Sequence, residues 1–93
     1  MMQLFWTLNA SQDREEIYHH IEAENPRAAL ALDERFSRNA NCLLEYPELG
    51  RPGRVNGTRE LVVHPNFILV YDVIEHQIRM LRILHAARKW PSA

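Results

Sequence analysis

Arg59, His85 and Arg88 are among the residues of this chain whose side chains best suit anion binding or proton transfer. A guanidinium can neutralise a phosphate, and an imidazole with an unperturbed pKa of about 6.5 can move a proton near neutrality. Further groups suited to binding an anion are Arg51 and Arg54, in a glycine- and proline-rich stretch, and Lys89 and Trp90, directly after Arg88. A large ring such as Trp90 leaves water readily and suits contact with a partner.

Several of these groups also have a structural reading. His85 can hydrogen-bond backbone at a strand end, and Arg59 can pair with Glu60, Glu48 or a helix carboxylate. Arg82 shares a strand face with Ile78, Met80 and Leu84, so an internal ion pair is expected for it. His64, directly before Pro65, is expected to hold a turn. His19, His20 and His76 are too scattered for a metal site, and nothing has the ligand spacing of a zinc centre. No metal and no cofactor are expected.

The formal net charge of −1 hides a division. Residues 1–46 carry eight acidic side chains against four arginines, whereas residues 47–93 carry four against six arginines and Lys89. Such a field can present one face to a polyanion or an acidic protein while the other stays solvated. The expectation is a cationic working surface in the second half, with the acidic helical layer behind it as scaffold. Ten of the eleven basic residues are arginine, whose planar fork grips carboxylate or phosphate bidentately.

These residues need elements to position them. Leu4–Leu8 is a short strand candidate. Asn9, with Gln12 three residues on, can cap a helix running to about Glu24. Asn25-Pro26 resets the chain, since asparagine caps and proline fits the first helical position. Ala29, Leu32, Phe36, Ala40 and Leu43 then recur at spacings of 3, 4, 4 and 3, predicting a second helix from Pro26 to about Glu45. So short a linker makes the pair an antiparallel hairpin. Pro47–Gly57 holds three glycines and two prolines and reads as a loop. Thr58–His64, Phe67–Val73 and Gln77–Leu84 read as a meander with a turn at Glu75-His76. The last strand is apolar on both faces and is expected inside the sheet. The fold class is therefore α+β: one two-layer domain over residues 1–93, order β-α-α-β-β-β, with the helical hairpin packed on a small, mostly antiparallel sheet.

Ninety-three residues with 46% hydrophobic content suit one core. The single Cys42 excludes an internal disulfide, and its apolar helical setting predicts a reduced, packed thiol. No apolar run approaches the ~20 residues of a membrane span, and no basic region followed by a long apolar stretch marks a signal peptide. A cytoplasmic protein with no membrane partner is expected.

In this order and at these distances, the motifs resemble the RelE/ParE superfamily of toxins from bacterial type II toxin–antitoxin modules. The resemblance rests on Asn25-Pro26-Arg27-Ala28-Ala29, Tyr46-Pro47-Glu48-Leu49-Gly50-Arg51-Pro52, Val55-Asn56-Gly57-Thr58-Arg59-Glu60-Leu61, His64-Pro65-Asn66-Phe67 and Ile83-Leu84-His85-Ala86-Ala87-Arg88-Lys89-Trp90-Pro91. It implies a growth inhibitor neutralised by a cognate antitoxin, whose acidic amphipathic segment would cover basic surface. RelE-like members enter the ribosomal A site and cleave mRNA without a metal; ParE-like members inhibit DNA gyrase and have no nuclease activity. Fold alone does not decide between the two targets. On a RelE-like reading the catalytic groups would be Arg59, His85 and Arg88. On either reading Arg51, Arg54, Arg59, Lys89 and Trp90 would bind the target. Several RelE-like nucleases carry an arginine directly before the leucine-valine-tyrosine run, where this chain has Ile68. That departure and the Ile83-Leu84-His85 ending look more ParE-like.

Overall fold

Asn25 and Pro26 set up the helical layer as the sequence predicts. The Asn25 side chain accepts the Ala28 N–H at 3.1 Å, and Pro26 opens the helix where a missing N–H costs nothing. The structure, a computed structural model, describes residues 1–86; Arg88, Lys89 and Trp90 lie outside the described residues. Its elements are β1 (Gln3–Trp6), α1 (Leu8–Glu22), α2 (Pro26–Cys42), β2 (Arg51–Pro52), β3 (Arg59–His64), β4 (Phe67–Ile74) and β5 (Gln77–His85). The strands form one sheet in the order β1-β5-β4-β3-β2. β1 runs parallel to β5, and every other pairing is antiparallel. The predicted order and layers are observed, and β5 lies inside the sheet as its two apolar faces require.

Three local expectations are corrected. The cap of α1 is Thr7 rather than Asn9. Its hydroxyl accepts the Ala10 N–H at 3.2 Å and donates to the Met80 carbonyl at 2.8 Å, so one side chain starts the helix and ties it to β5. The second helix ends at Cys42 rather than Glu45. Leu43, Leu44 and Glu45 close onto carbonyls three residues back, a tightening common where a helix unwinds. Cys42 is exposed, because Ala40 and Leu43 occupy the buried side of that turn.

The core lies between the layers. Phe36 and Leu43 from α2 meet Leu69, Tyr71, Ile78 and Met80 from the central strands. α1 packs over β5 at an irregularity: Val70 pairs with Arg82 and Tyr71 with Met80, leaving Leu81 as an extra residue in β5. A bulge disturbs the ladder and frees backbone groups that need another partner. Asp13 supplies one, accepting the Ile83 N–H at 3.0 Å. The same carboxylate takes the Arg82 guanidinium through two bonds of 2.7 and 3.0 Å. The internal pair expected for Arg82 is thus present. These bonds hold the Arg82 pKa above its usual value, with burial opposing them.

Asp13→Ala removes an acceptor for one backbone and two guanidinium donors at a half-buried site. Urea denaturation is expected to register a loss of about 2–3 kcal/mol. A loss under about 0.5 kcal/mol would mean the link between α1 and β5 contributes little.

Candidate functional site

The loop carrying Arg51 and Arg54 is irregular in sequence yet held at several points. The Tyr71 hydroxyl, buried beneath it, accepts the Gly50 N–H and donates to the Pro47 carbonyl, both at 2.8 Å. Gly50 is required there, since a Cβ would stand 2.8 Å from the Tyr71 ring and hydroxyl. Burial pushes the Tyr71 phenol above its ordinary pKa, against the Gly50 hydrogen bond and the Arg59 charge, which lower it. Arg59 reaches the same loop, donating to the Gly50 carbonyl at 2.7 Å and the Glu48 carbonyl at 3.3 Å.

Glu60, neighbour to Arg59 in β3, is the one buried charged residue among those described, only 2% exposed. Its carboxylate accepts the Arg54 N–H at 2.9 Å. It also faces the guanidinium groups of Arg51 at 3.5 Å and Arg54 at 3.7 Å. A buried carboxylate needs such partners, and here they come from the loop. The two arginine side chains remain 59% and 45% exposed, so each can meet Glu60 and still reach a ligand. The structure therefore brings Arg51, Arg54 and Arg59 to one loop, organised by Tyr71 and Glu60.

His85 stands elsewhere. In register Arg59 pairs with Tyr71 and His85 with Phe67, four residues along β4 and on opposite sides of it. Strand geometry separates the two by about 17 Å between Cα atoms. The Phe67 ring sits between His64 and His85, at centroid distances of 5.7 and 5.5 Å. His64 accepts the Asn66 N–H at 3.0 Å and so holds its turn, as expected. A groove of about 190 Å³ opens beside His85, between α1 and the sheet; its apolar floor includes Ile17, Phe67 and Ile83, and Glu16 and His20 also line it.

The expectation of an open cationic face across the second half is not met among the described residues. All five of its arginines there have acceptors: Arg51 and Arg54 on Glu60, Arg59 on carbonyls, Arg79 on Asp72 at 2.6 and 2.9 Å, and Arg82 on Asp13. Hydrogen bonding to Asp72 raises the Arg79 pKa. In the first half, Arg14 lies over the Trp6 ring at 4.7 Å and binds Asp33 at 2.6 Å. Among the described residues, the arginine side chains without an ion pair or hydrogen bond are Arg27, Arg35 and Arg38, all exposed on α2. Sequence reasoning missed these, and it offered Glu60 as a partner for Arg59, whereas that carboxylate is buried and meets Arg51 and Arg54. A carboxylate inside an alternating apolar strand was the available signal for Glu60. No group of three or more His, Cys, Asp or Glu side chains suited to a metal occurs among the described residues, and no helix there is long and apolar enough to cross a membrane.

Residues 4–90 match the family model described as the ParE toxin of the type II toxin–antitoxin system parDE. The Y4kP protein of Sinorhizobium fredii is 37% identical over 86 residues, covering 92% of this chain and 90% of that one. Toxin RelE2 of Caulobacter vibrioides is 39% identical over 88 residues, covering 95% and 99%. A solved chain of the chromosomal ParDE toxin–antitoxin system of P. aeruginosa superposes with a TM-score of 0.81. It shares 30% identity over 91% of this chain and 96% of its own.

Two outcomes test the anchored loop. Glu60→Ala is expected to cost about 2–3 kcal/mol in urea denaturation and to speed amide exchange over residues 50–58; unchanged exchange there would contradict the role given to Glu60. The Tyr71 phenol has its pKa raised in the folded state, so its contribution is fully present below the unfolded value near 10 and is lost as pH rises through the folded one. Thermal stability should therefore fall above pH 10, and Tyr71→Phe should flatten that fall while lowering stability at pH 7.

Proposed function

The chain belongs to the ParE toxin family of type II toxin–antitoxin systems, and on that premise we propose that it arrests growth by binding DNA gyrase. It acts in the cytoplasm and is neutralised by a cognate antitoxin. The observation that carries this choice of target is the separation of Arg59 from His85. Metal-free RNA cleavage needs a phosphate-binding cation and a proton-transfer group within hydrogen-bond reach of one phosphodiester. Cα atoms about 17 Å apart, with the Arg59 guanidinium turned onto the loop carbonyls, favour a binding protein over a nuclease. Ile68, 5% exposed where several RelE-like nucleases carry arginine, supports the same reading. The gyrase-binding residues are Arg51 and Arg54, braced by Arg59, together with Lys89 and Trp90.

A second reading, ribosome-dependent mRNA cleavage without a metal, draws support from His85, exposed on the groove that Glu16 and His20 also line. In that reading Arg59, His85 and Arg88 carry the chemistry.

Both assays belong on one preparation of antitoxin-free, full-length protein. Gyrase supercoiling is expected to be blocked, with ribosome-bound mRNA left intact in primer extension. The Arg51→Ala, Arg54→Ala double variant should need at least tenfold more protein for the same block. Cuts at A-site codons that disappear with His85→Ala, with gyrase unaffected, would replace this function with the second.

A further inference from the structure

We infer that β1 is a self-association edge, on which a second copy of this chain adds its own β1, antiparallel, about a twofold axis at Phe5. β1 ends the sheet, with β5 on one side and, among the described residues, no strand on the other. The Gln3 N–H donates to the His76 carbonyl at 2.8 Å and the Thr7 N–H to the Met80 carbonyl at 3.1 Å. Odd-numbered residues thus turn their backbone groups to β5, and by the two-residue alternation of a strand Leu4 and Trp6 turn theirs to the open side. An edge of this kind accepts a further strand through main-chain hydrogen bonds.

The two edges of the sheet differ in composition. At the far edge, β2 is Arg51-Pro52, where a charge and a missing N–H both discourage strand addition. β1 has neither device. Residues 2–12 hold no charged side chain and no proline. Leu4 and Trp6 pack their side chains against the core, which puts Phe5 on the face of the sheet away from the helices, 53% exposed. Its neighbours in register there are Arg79 and Asp72, tied to each other at 2.6 and 2.9 Å, so the charges beside the ring are matched. An uncharged edge offers a strongly acidic or basic partner nothing to pair with, whereas a copy of itself meets it without repulsion.

The register is self-complementary. In an antiparallel pair centred on Phe5, Leu4 of each copy stands opposite Trp6 of the other. Both are hydrogen-bonded pairs, so all the outward N–H and C=O groups of β1 are satisfied at once. Centring on Leu4 or on Trp6 would instead pair one of them with a residue outside β1. Phe5 then faces Phe5 as a non-hydrogen-bonded pair, the closer kind, with Cα atoms about 4.5 Å apart. Aromatic pairs are favourable at such positions, and like charges are not. Strands of four residues make a small contact, so the dimer is weak and concentration-dependent. The loops of Arg51 and Arg54 lie at the far edges of the joined sheet, roughly 40 Å apart by strand spacing, and both stay open. The pairing is independent of which target those loops bind.

The test uses full-length, antitoxin-free protein carrying Cys42→Ser, which removes the exposed native thiol. Sedimentation equilibrium from micromolar to millimolar concentration is expected to show monomer passing to dimer. Adding Phe5→Lys should weaken association at least tenfold while leaving the melting temperature unchanged. Phe5→Cys, oxidised with diamide, should give a disulfide-linked dimer at least tenfold faster than Val62→Cys, a site equally exposed on the strand next to β2. A chain that stays monomeric at millimolar concentration would overturn the proposal, as would a dimer that Phe5→Lys leaves intact. A disulfide that forms no faster from Phe5→Cys than from Val62→Cys would overturn it too.

Discussion

A guanidinium lying against a folded sheet has to find an acceptor, and that requirement decides which of the described arginines remain available to a partner. The sheet and its loop hold Arg51, Arg54, Arg59, Arg79 and Arg82, and each is matched: by Glu60, by loop carbonyls, by Asp72 or by Asp13. The outer face of α2 makes no such demand. Arg27, Arg35 and Arg38 stand there in water, without a pair among the described residues. Among the described residues, counting charge by halves of the chain therefore misplaces the open cations, because the count ignores which carboxylates fold back onto them.

The matched arginines form a framework with two anchors. Asp13 couples α1 to the irregularity in β5, where the same carboxylate serves a guanidinium and a backbone N–H. Tyr71 and Glu60 couple the irregular loop to β4 and β3, so a segment rich in glycine and proline keeps one conformation without a long strand. Exposed ion pairs contribute little, whereas a carboxylate as enclosed as Glu60 is costly to leave unpartnered. The two loop arginines are held in place from below by that carboxylate, and their outer surfaces stay in solvent. A binding surface gains from such ordering, since less conformational freedom is lost when a partner arrives.

Much of this architecture is legible in the sequence because it rests on local signals. The Asn25-Pro26 start, the Ala29-Leu32-Phe36-Ala40-Leu43 spacing and the Glu75-His76 turn each act within one element, and the backbone at Glu75 does adopt a left-handed φ of 55°. Short-range reasoning fails where a partner is distant in the chain. Thr7 displaces Asn9 as the cap because its hydroxyl is also needed by the Met80 carbonyl, 73 residues away. Asp13 and Arg82 are 69 residues apart, and no periodicity announces their pairing. β2 escapes notice because two residues carry no alternation to read. Of the candidate site, the loop arginines were visible by type, but Glu60 beneath them and the unpaired arginines of α2 emerge only once the elements are assembled.

The division between held and open arginines can be observed directly in the Nε–Hε signals of the ten guanidinium groups of the folded, full-length protein. The account predicts slow solvent exchange and separate, dispersed signals for Arg59, Arg79 and Arg82, intermediate exchange for Arg51 and Arg54, and fast, averaged signals for Arg27, Arg35 and Arg38. Protected signals from Arg35 and Arg38, with the sheet and loop arginines averaging freely, would contradict it.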